Sequence, residues 1–134
     1  MIVGIIGNGF IGSALYQLKC KDIDILVYDI NSELCIPKEI VLNDLNKCDI
    51  IFISVPTPMS KNGSCYLNII ESVIANLQSI NYNGFIVIRS TVPVGTCDKF
   101  NCYFMPEFLT EKNYISDFLQ EEVRFLSLTA SGYP

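Results

Sequence analysis

Apolar residues run unbroken through Met1–Gly7 ("MIVGIIG") and stop at glycine. A strand buried on both faces of a parallel sheet has this pattern. Ile11, Leu15 and Leu18 then recur at helical spacing and predict a helix over Ile11–Lys19. Ile23–Asp29 ("IDILVYD") reads as a second strand and Glu39–Leu42 ("EIVL") as a short third. "NDLNKCD" is at most a short helix. Ile50–Val55 is a fourth strand, ended by the prolines of "PTP", because proline cannot donate to an interior ladder. After the loop "SKNGS", Leu67, Ile70, Ile74 and Leu77 place a helix over Tyr66–Ser79. "NYNG" is a turn, Phe85–Ser90 a fifth strand and Cys102–Met105 a sixth. "MPEFLTEKNYISDF" reads as loop and short helix, and Val123–Leu128 as a seventh strand. The order predicts an α/β fold over 1–134 as one domain, with a mostly parallel, twisted sheet of about six to seven strands.

A formal net charge of −5 and the lack of any Lys/Arg run exclude the electrostatic footprint of a nucleic-acid binder. They leave a dinucleotide open, because backbone N–H groups alone can hold phosphates. With no histidine, the commonest general base and metal ligand is missing, and no metal site is expected. The cysteines, Cys20, Cys35, Cys48, Cys65, Cys97 and Cys102, are scattered without a C-x-x-C pair. No signal peptide precedes them, so the thiols are expected reduced and the protein cytoplasmic. Asn62-Gly63-Ser64, formally a glycosylation acceptor, is then a turn. No apolar run approaches the ~18 residues of a membrane span.

"GNGFIG" supplies G-x-G-x-x-G at Gly7, Gly9 and Gly12, between an apolar strand and an amphipathic helix. Gly7 permits the tight turn, Gly9 lets a pyrophosphate approach the backbone, and Gly12 lets helix pack on strand. The loop residues Asn8, Phe10 and Ile11 belong to the same cradle. Asp29 closes the second strand, 17 residues past Gly12 (29 − 12). Its carboxylate would accept from the ribose hydroxyls and repel a 2′-phosphate, which favours NAD over NADP.

Three further blocks follow strands: "ISVPTP" (Ile53–Pro58), "STVPVGT" (Ser90–Thr96) and "MPEFLTE" (Met105–Glu111). With "GNGFIG" and "YDIN", in this order, they resemble the N-terminal NAD-binding domain of the UDP-glucose/GDP-mannose dehydrogenase family. The resemblance implies a Rossmann-like fold and oxidation of a nucleotide sugar's C6 alcohol to a carboxylate with two NAD. It implies that Gly7–Gly12 hold the pyrophosphate and Asp29 the ribose. Val55 and Thr57 then lie along the NAD, Ser90 and Thr91 near the nicotinamide, and Glu111 beside the cofactor. Glu107 matches a glutamate linked to water activation in thioester hydrolysis, and Phe108 and Leu109 match residues lining the nucleotide-sugar site. Asp117 and Arg124 fall on a D…R pair of the family.

The sequence also departs from the family. The family's nucleophilic cysteine lies in a downstream G-x-C-x-P-K-D-like motif that none of the six cysteines matches. Catalysis by this chain alone is therefore not expected, and a UDP-sugar would need a partner domain. Asp29 and Ser54 are only 25 apart, where the family carries a long helical stretch. "CDKFNCYFM" replaces a helix before "PEFL", so the fifth and sixth strands are expected to have a non-helical link or to be non-parallel. Leu34 stands where a basic residue is common. With fewer covering helices than usual, one sheet face is expected bare, and self-association or docking on a partner to follow, which light scattering reads directly. Two functions remain open: the NAD-binding part of such a dehydrogenase, and a reduced, non-catalytic NAD-binding or structural protein derived from one.

Overall fold

The computed structural model describes residues 1–57, 61, 63, 67–90, 92–93 and 95–105. Five strands form one sheet: β1 (Ile2–Ile6), β2 (Asp24–Tyr28), β3 (Ile50–Ile53), β4 (Phe85–Ile88) and β5 (Tyr103–Phe104), in the order β2-β1-β3-β4-β5. Every neighbouring pair is parallel. The α-helices are α1 (Phe10–Leu15), α2 (Asn68–Ser79) and α3 (Thr96–Phe100). Strand alternation divides the core. Val3, Ile5, Ile25, Val27, Phe52 and Val87 pack with Ala14 and Leu15 of α1 on one face. Ile6, Ile51, Ile53 and Ile88 pack on the other against Ile70, Ile74 and Leu77, which recur on one side of α2. This is the expected α/β, Rossmann-like sheet, with five strands among the described residues instead of six to seven. The expected strand Val123–Leu128 lies outside them.

Glu39–Leu42 is not a strand. The outer edge of β2 is occupied by one antiparallel bridge, in which Val27 N–H donates to the Ile36 carbonyl (2.8 Å) and Ile36 N–H to the Val27 carbonyl (2.9 Å). Pro37 follows and offers no N–H to extend the pairing. The Asp44 carboxylate then accepts from Val41 N–H at 2.9 Å and starts a 3-10 helix over Leu42–Lys47, the short helix expected from "NDLNKCD".

That 3-10 helix also corrects the expectation of a bare face. Leu45 is fully buried among Ile40, Cys48 and Ile51, on the face α2 covers, so one inserted leucine does part of the work of a longer helix. Three exposed large apolar side chains, Phe85, Tyr103 and Phe104, lie on β4 and β5, and others, such as Ile30, Val41 and Ile69, are spread over the rest of the surface.

The link from β4 to β5 is corrected as well. It contains α3, and β5 is parallel to β4. Counted from Arg89 to Cys102, the crossover has 14 residues (102 − 88), within the dozen or so a parallel crossover needs. α3 starts at Gly95, whose φ of 91° suits glycine, and ends on Asn101 in the left-handed conformation.

Candidate functional site: a dinucleotide edge

The register aligns Ile6, Tyr28, Ile53, Ile88 and Phe104 in one row across the sheet. One step beyond it, Gly7 N–H donates to the Tyr28 carbonyl (2.9 Å), Ser54 N–H to Ile6 (2.8 Å), Arg89 N–H to Ile53 (2.8 Å) and Met105 N–H to Ile88 (3.2 Å). Each sequence block of interest therefore leaves the sheet at the same carboxyl edge. β1 lies between β2 and β3, so the chain reverses direction there, where open α/β sheets bind ligands.

The three glycines of the loop are required for different reasons. Gly7 has φ 96°, and a Cβ there would lie 2.6 Å from the Ser54 carbonyl oxygen. A Cβ on Gly12 would overlap the Gly7 carbonyl oxygen and come within 3.4 Å of Ile5 Cγ2, so strand and helix touch through backbone. At Gly9 a Cβ would meet no protein atom within 4 Å, and φ is −78°. Neither packing nor backbone conformation demands glycine at Gly9, and the space over it is open. Gly9 caps α1 without a side-chain bond, and no acidic residue lies in the first turn.

The second corner forms around Asp29. One carboxylate oxygen accepts from Asn8 N–H and the other from Asn31 N–H, both at 2.8 Å. A carboxylate offers about four lone-pair sites, so room remains for two hydroxyl donors. The Asn8 side chain donates through Nδ2 to the Leu34 carbonyl (2.8 Å) and accepts through Oδ1 from Ser13 Oγ (3.2 Å). The buried Cys35 thiol accepts from Asp29 N–H and donates to the Asp29 carbonyl, both at 3.3 Å. Ile30, directly after Asp29, is fully exposed at 101%. Sequence reasoning identified Asp29 and Asn8 but missed Ser13, Ile30, Asn31 and Cys35. One signal was available for Asn31: asparagine two residues before Glu33 forms a local turn, with its side chain accepting from Glu33 N–H at 3.1 Å.

Beyond β3, Val55 and Thr57 are half-buried. Ser90 is 1% exposed, and its hydroxyl donates to the Val55 carbonyl at 2.7 Å, tying the ends of β3 and β4 together. The Ser54 hydroxyl is buried and has no hydrogen-bond partner among the described residues. Phe10 and Ile11 open α1. Thr91, Glu107, Phe108, Leu109, Glu111, Asp117 and Arg124 lie outside the described residues. An NAD molecule fits this edge on two counts: the open space over Gly9 and the spare acceptor capacity of Asp29.

Three of the thiols, Cys48, Cys97 and Cys102, are poor nucleophiles. Burial pushes Cys48 up to about 11, and Cys102 likewise to about 11 with a smaller contribution from the neighbouring Cys97. Cys97 is also raised, by burial first and Asp98 second. Nucleophilic attack needs thiolate, which these environments suppress near neutral pH. No helix among the described residues is long and apolar enough to cross a membrane.

Comparison with known proteins agrees with this geometry. Residues 37–126 match the NAD binding domain of the UDP-glucose/GDP-mannose dehydrogenase family. The UDP-glucose 6-dehydrogenase of Rickettsia conorii is 37% identical over 89 residues, covering 58% of this chain and 21% of that protein. UDP-glucose 6-dehydrogenase 4 of Arabidopsis thaliana is 29% identical over 84% of this chain and 34% of its own length. In fold, the chain is similar to a GDP-mannose dehydrogenase from Pseudomonas aeruginosa, with a TM-score of 0.70 at 24% identity over 88% of this chain and 38% of that one. It is also similar to a UDP-D-ManNAc dehydrogenase from Pyrococcus horikoshii, with a TM-score of 0.73 at 20% identity over 87% and 38%. The chain thus spans about a fifth to a third of the curated relatives' length, 21% and 34% in these two cases. The family match begins after the glycine loop and Asp29, whose assignment rests on the strand–turn–helix geometry above. With both in hand, the chain belongs to the UDP-glucose/GDP-mannose dehydrogenase family, as an NAD-binding domain of it.

Proposed function

We propose that this chain supplies the cofactor half of a nucleotide-sugar oxidoreductase and does not complete the reaction by itself. The observation that carries this is Gly9: a glycine that neither packing nor φ requires, beside an aspartate with acceptor capacity to spare. The glycine loop Gly7–Gly12 would hold the pyrophosphate, with Phe10 and Ile11 beginning the helix beneath it. Asp29 would accept from the two adenosine ribose hydroxyls, and exposed Ile30 would offer apolar surface to the adenine. Val55 and Thr57 would lie along the cofactor. Ser90 would fix the strand ends under the nicotinamide through Val55. Bound NAD supplies a hydride acceptor, and this chain's part is to orient it and to disfavour a 2′-phosphate.

Thr91 and Glu111 beside the cofactor, Phe108 and Leu109 on the substrate side, and Glu107 as a hydrolytic base come from the sequence resemblance. A UDP-sugar is the substrate class that the family suggests. Four of the described cysteines are poorly placed to form the thioester: Cys48, Cys97 and Cys102 are held in the thiol form, and Cys35 is committed to the Asp29 peptide. The same observation favours a second reading, a non-catalytic NAD-binding relative. The chain incubated with NAD and UDP-glucose is expected to release no NADH above background at 340 nm. Steady NADH release by the purified chain would overturn the claim that catalysis needs a further domain.

A further inference from the structure

Asn8 occupies a position that the glycine motif leaves open to any residue, yet both ends of its side chain are committed. Nδ2 donates to the Leu34 carbonyl at 2.8 Å, and Oδ1 accepts from Ser13 Oγ at 3.2 Å. The amide orientation is fixed by chemistry, since a carbonyl can only accept and a flipped amide would set oxygen against oxygen. The backbone N–H of the same residue donates to Asp29 at 2.8 Å. Asn8 thus touches three separate pieces: α1 through Ser13, the end of β2 through Asp29, and the following 3-10 turn (Ser32–Leu34) through Leu34. Leu34 adjoins Cys35, whose thiol grips the Asp29 peptide from the opposite side.

We infer that Asn8 is a positioning residue: its side chain locks the glycine loop to the ribose loop and does not itself bind the cofactor. The inference rests on the reading of this edge as an NAD site. Its physical content is preorganisation. A loop already held in the binding geometry loses less freedom when ligand arrives. The lock spans the two corners that a dinucleotide must engage together, the pyrophosphate turn and the ribose acid. Releasing it frees the Asn8 N–H from its place on Asp29, so the ribose end of the ligand feels the loss even where no phosphate is present.

Adenosine carries the ribose diol but no phosphate, and so separates a lock from a direct phosphate contact. For Asn8→Ala, NAD and adenosine are both expected to bind about tenfold more weakly, the equivalent of about one hydrogen bond. NMR titration reads both affinities. A loss for NAD with adenosine unchanged would make Asn8 a phosphate ligand and overturn the inference; so would no change for either. A parent chain that binds neither ligand overturns the NAD reading, and the lock with it. If a thermal melt shows that Asn8→Ala does not fold, Ser13→Ala decides. It removes the hydroxyl on Oδ1 alone and is expected to weaken both ligands about threefold; unchanged affinities for both would overturn the lock.

Discussion

Gly12→Ala is expected to damage folding and cofactor binding together, whereas Gly9→Ala damages binding alone. At Gly12 the added methyl has backbone on its near side, the Gly7 carbonyl, with the carbonyl carbon 3.0 Å away and Ile5 Cγ2 at 3.4 Å. Backbone does not swing aside as a flexible side chain does, so relief requires prising α1 off β1. Overpacking of this kind costs about 3 kcal/mol or more, and a lowering of the thermal midpoint by about 10 °C follows for a domain of this size. Because the turn carries the loop, NAD affinity falls on the order of 100-fold or below detection. Gly9 is the control within the same motif. Its added methyl meets no protein atom within 4 Å, and its φ of −78° is open to alanine. Stability therefore stays within about 0.5 kcal/mol, while NAD binding drops because the methyl stands where the pyrophosphate approaches. Thermal melts and NAD titrations of both variants make the comparison. An unstable Gly9→Ala would mean that the glycine serves the fold and not a ligand.

Asp29→Ala is expected to have the second large effect. Two backbone N–H groups, on Asn8 and Asn31, lose their acceptor, and so do two ribose hydroxyls. Hydrogen bonds to a charged group contribute about 1.5–3 kcal/mol each, so NAD affinity falls on the order of 100-fold or more. Asp29→Asn is the sharper variant. It keeps one acceptor oxygen, presents an NH2 to an N–H that needs an acceptor, and removes the negative charge. NAD binding weakens, while NADP, no longer repelled through its 2′-phosphate, loses less. The NAD-over-NADP preference therefore narrows. Competition titrations with the two cofactors read the ratio, and an unchanged ratio would show that Asp29 does not face the ribose.

These two sites were legible in the sequence because their constraints are local. A strand running into glycine, glycines at fixed spacing and an acid at the end of the next strand all sit on one βαβ unit. The false strand at Glu39–Leu42 has the opposite origin. Its β-branched run carries strand propensity, but the Val27–Ile36 bridge had already closed the edge it would need. That competition is tertiary and invisible to a local pattern. Asp44, three residues after Val41, was the one local warning. α3 escapes a local reading because the crossover starts at the end of β4, well before the end of "VPVGT", and so has room for a helical turn. Ser90 has a structural part that the motif does not announce: strand alternation and register bury its hydroxyl against the Val55 carbonyl. The lock through Asn8 could not be read at all, since a motif constrains its glycines and is silent on the side chains between them. Arg89, 1% exposed, is a similar case: "FIVIRS" gives no hint that its charged residue is buried.

Titration calorimetry of this chain with NAD, paired with a thermal melt, tests the central claim most directly. The glycine turn and Asp29 together predict saturable one-site binding, with a dissociation constant of about 1 μM to 1 mM, the usual range for enzyme ligands. They also predict NADP at least about tenfold weaker and a thermal midpoint that rises with NAD concentration. No heat and no shift of the midpoint at millimolar NAD would contradict the assignment of this edge as a cofactor site and leave the chain a fold without its ligand.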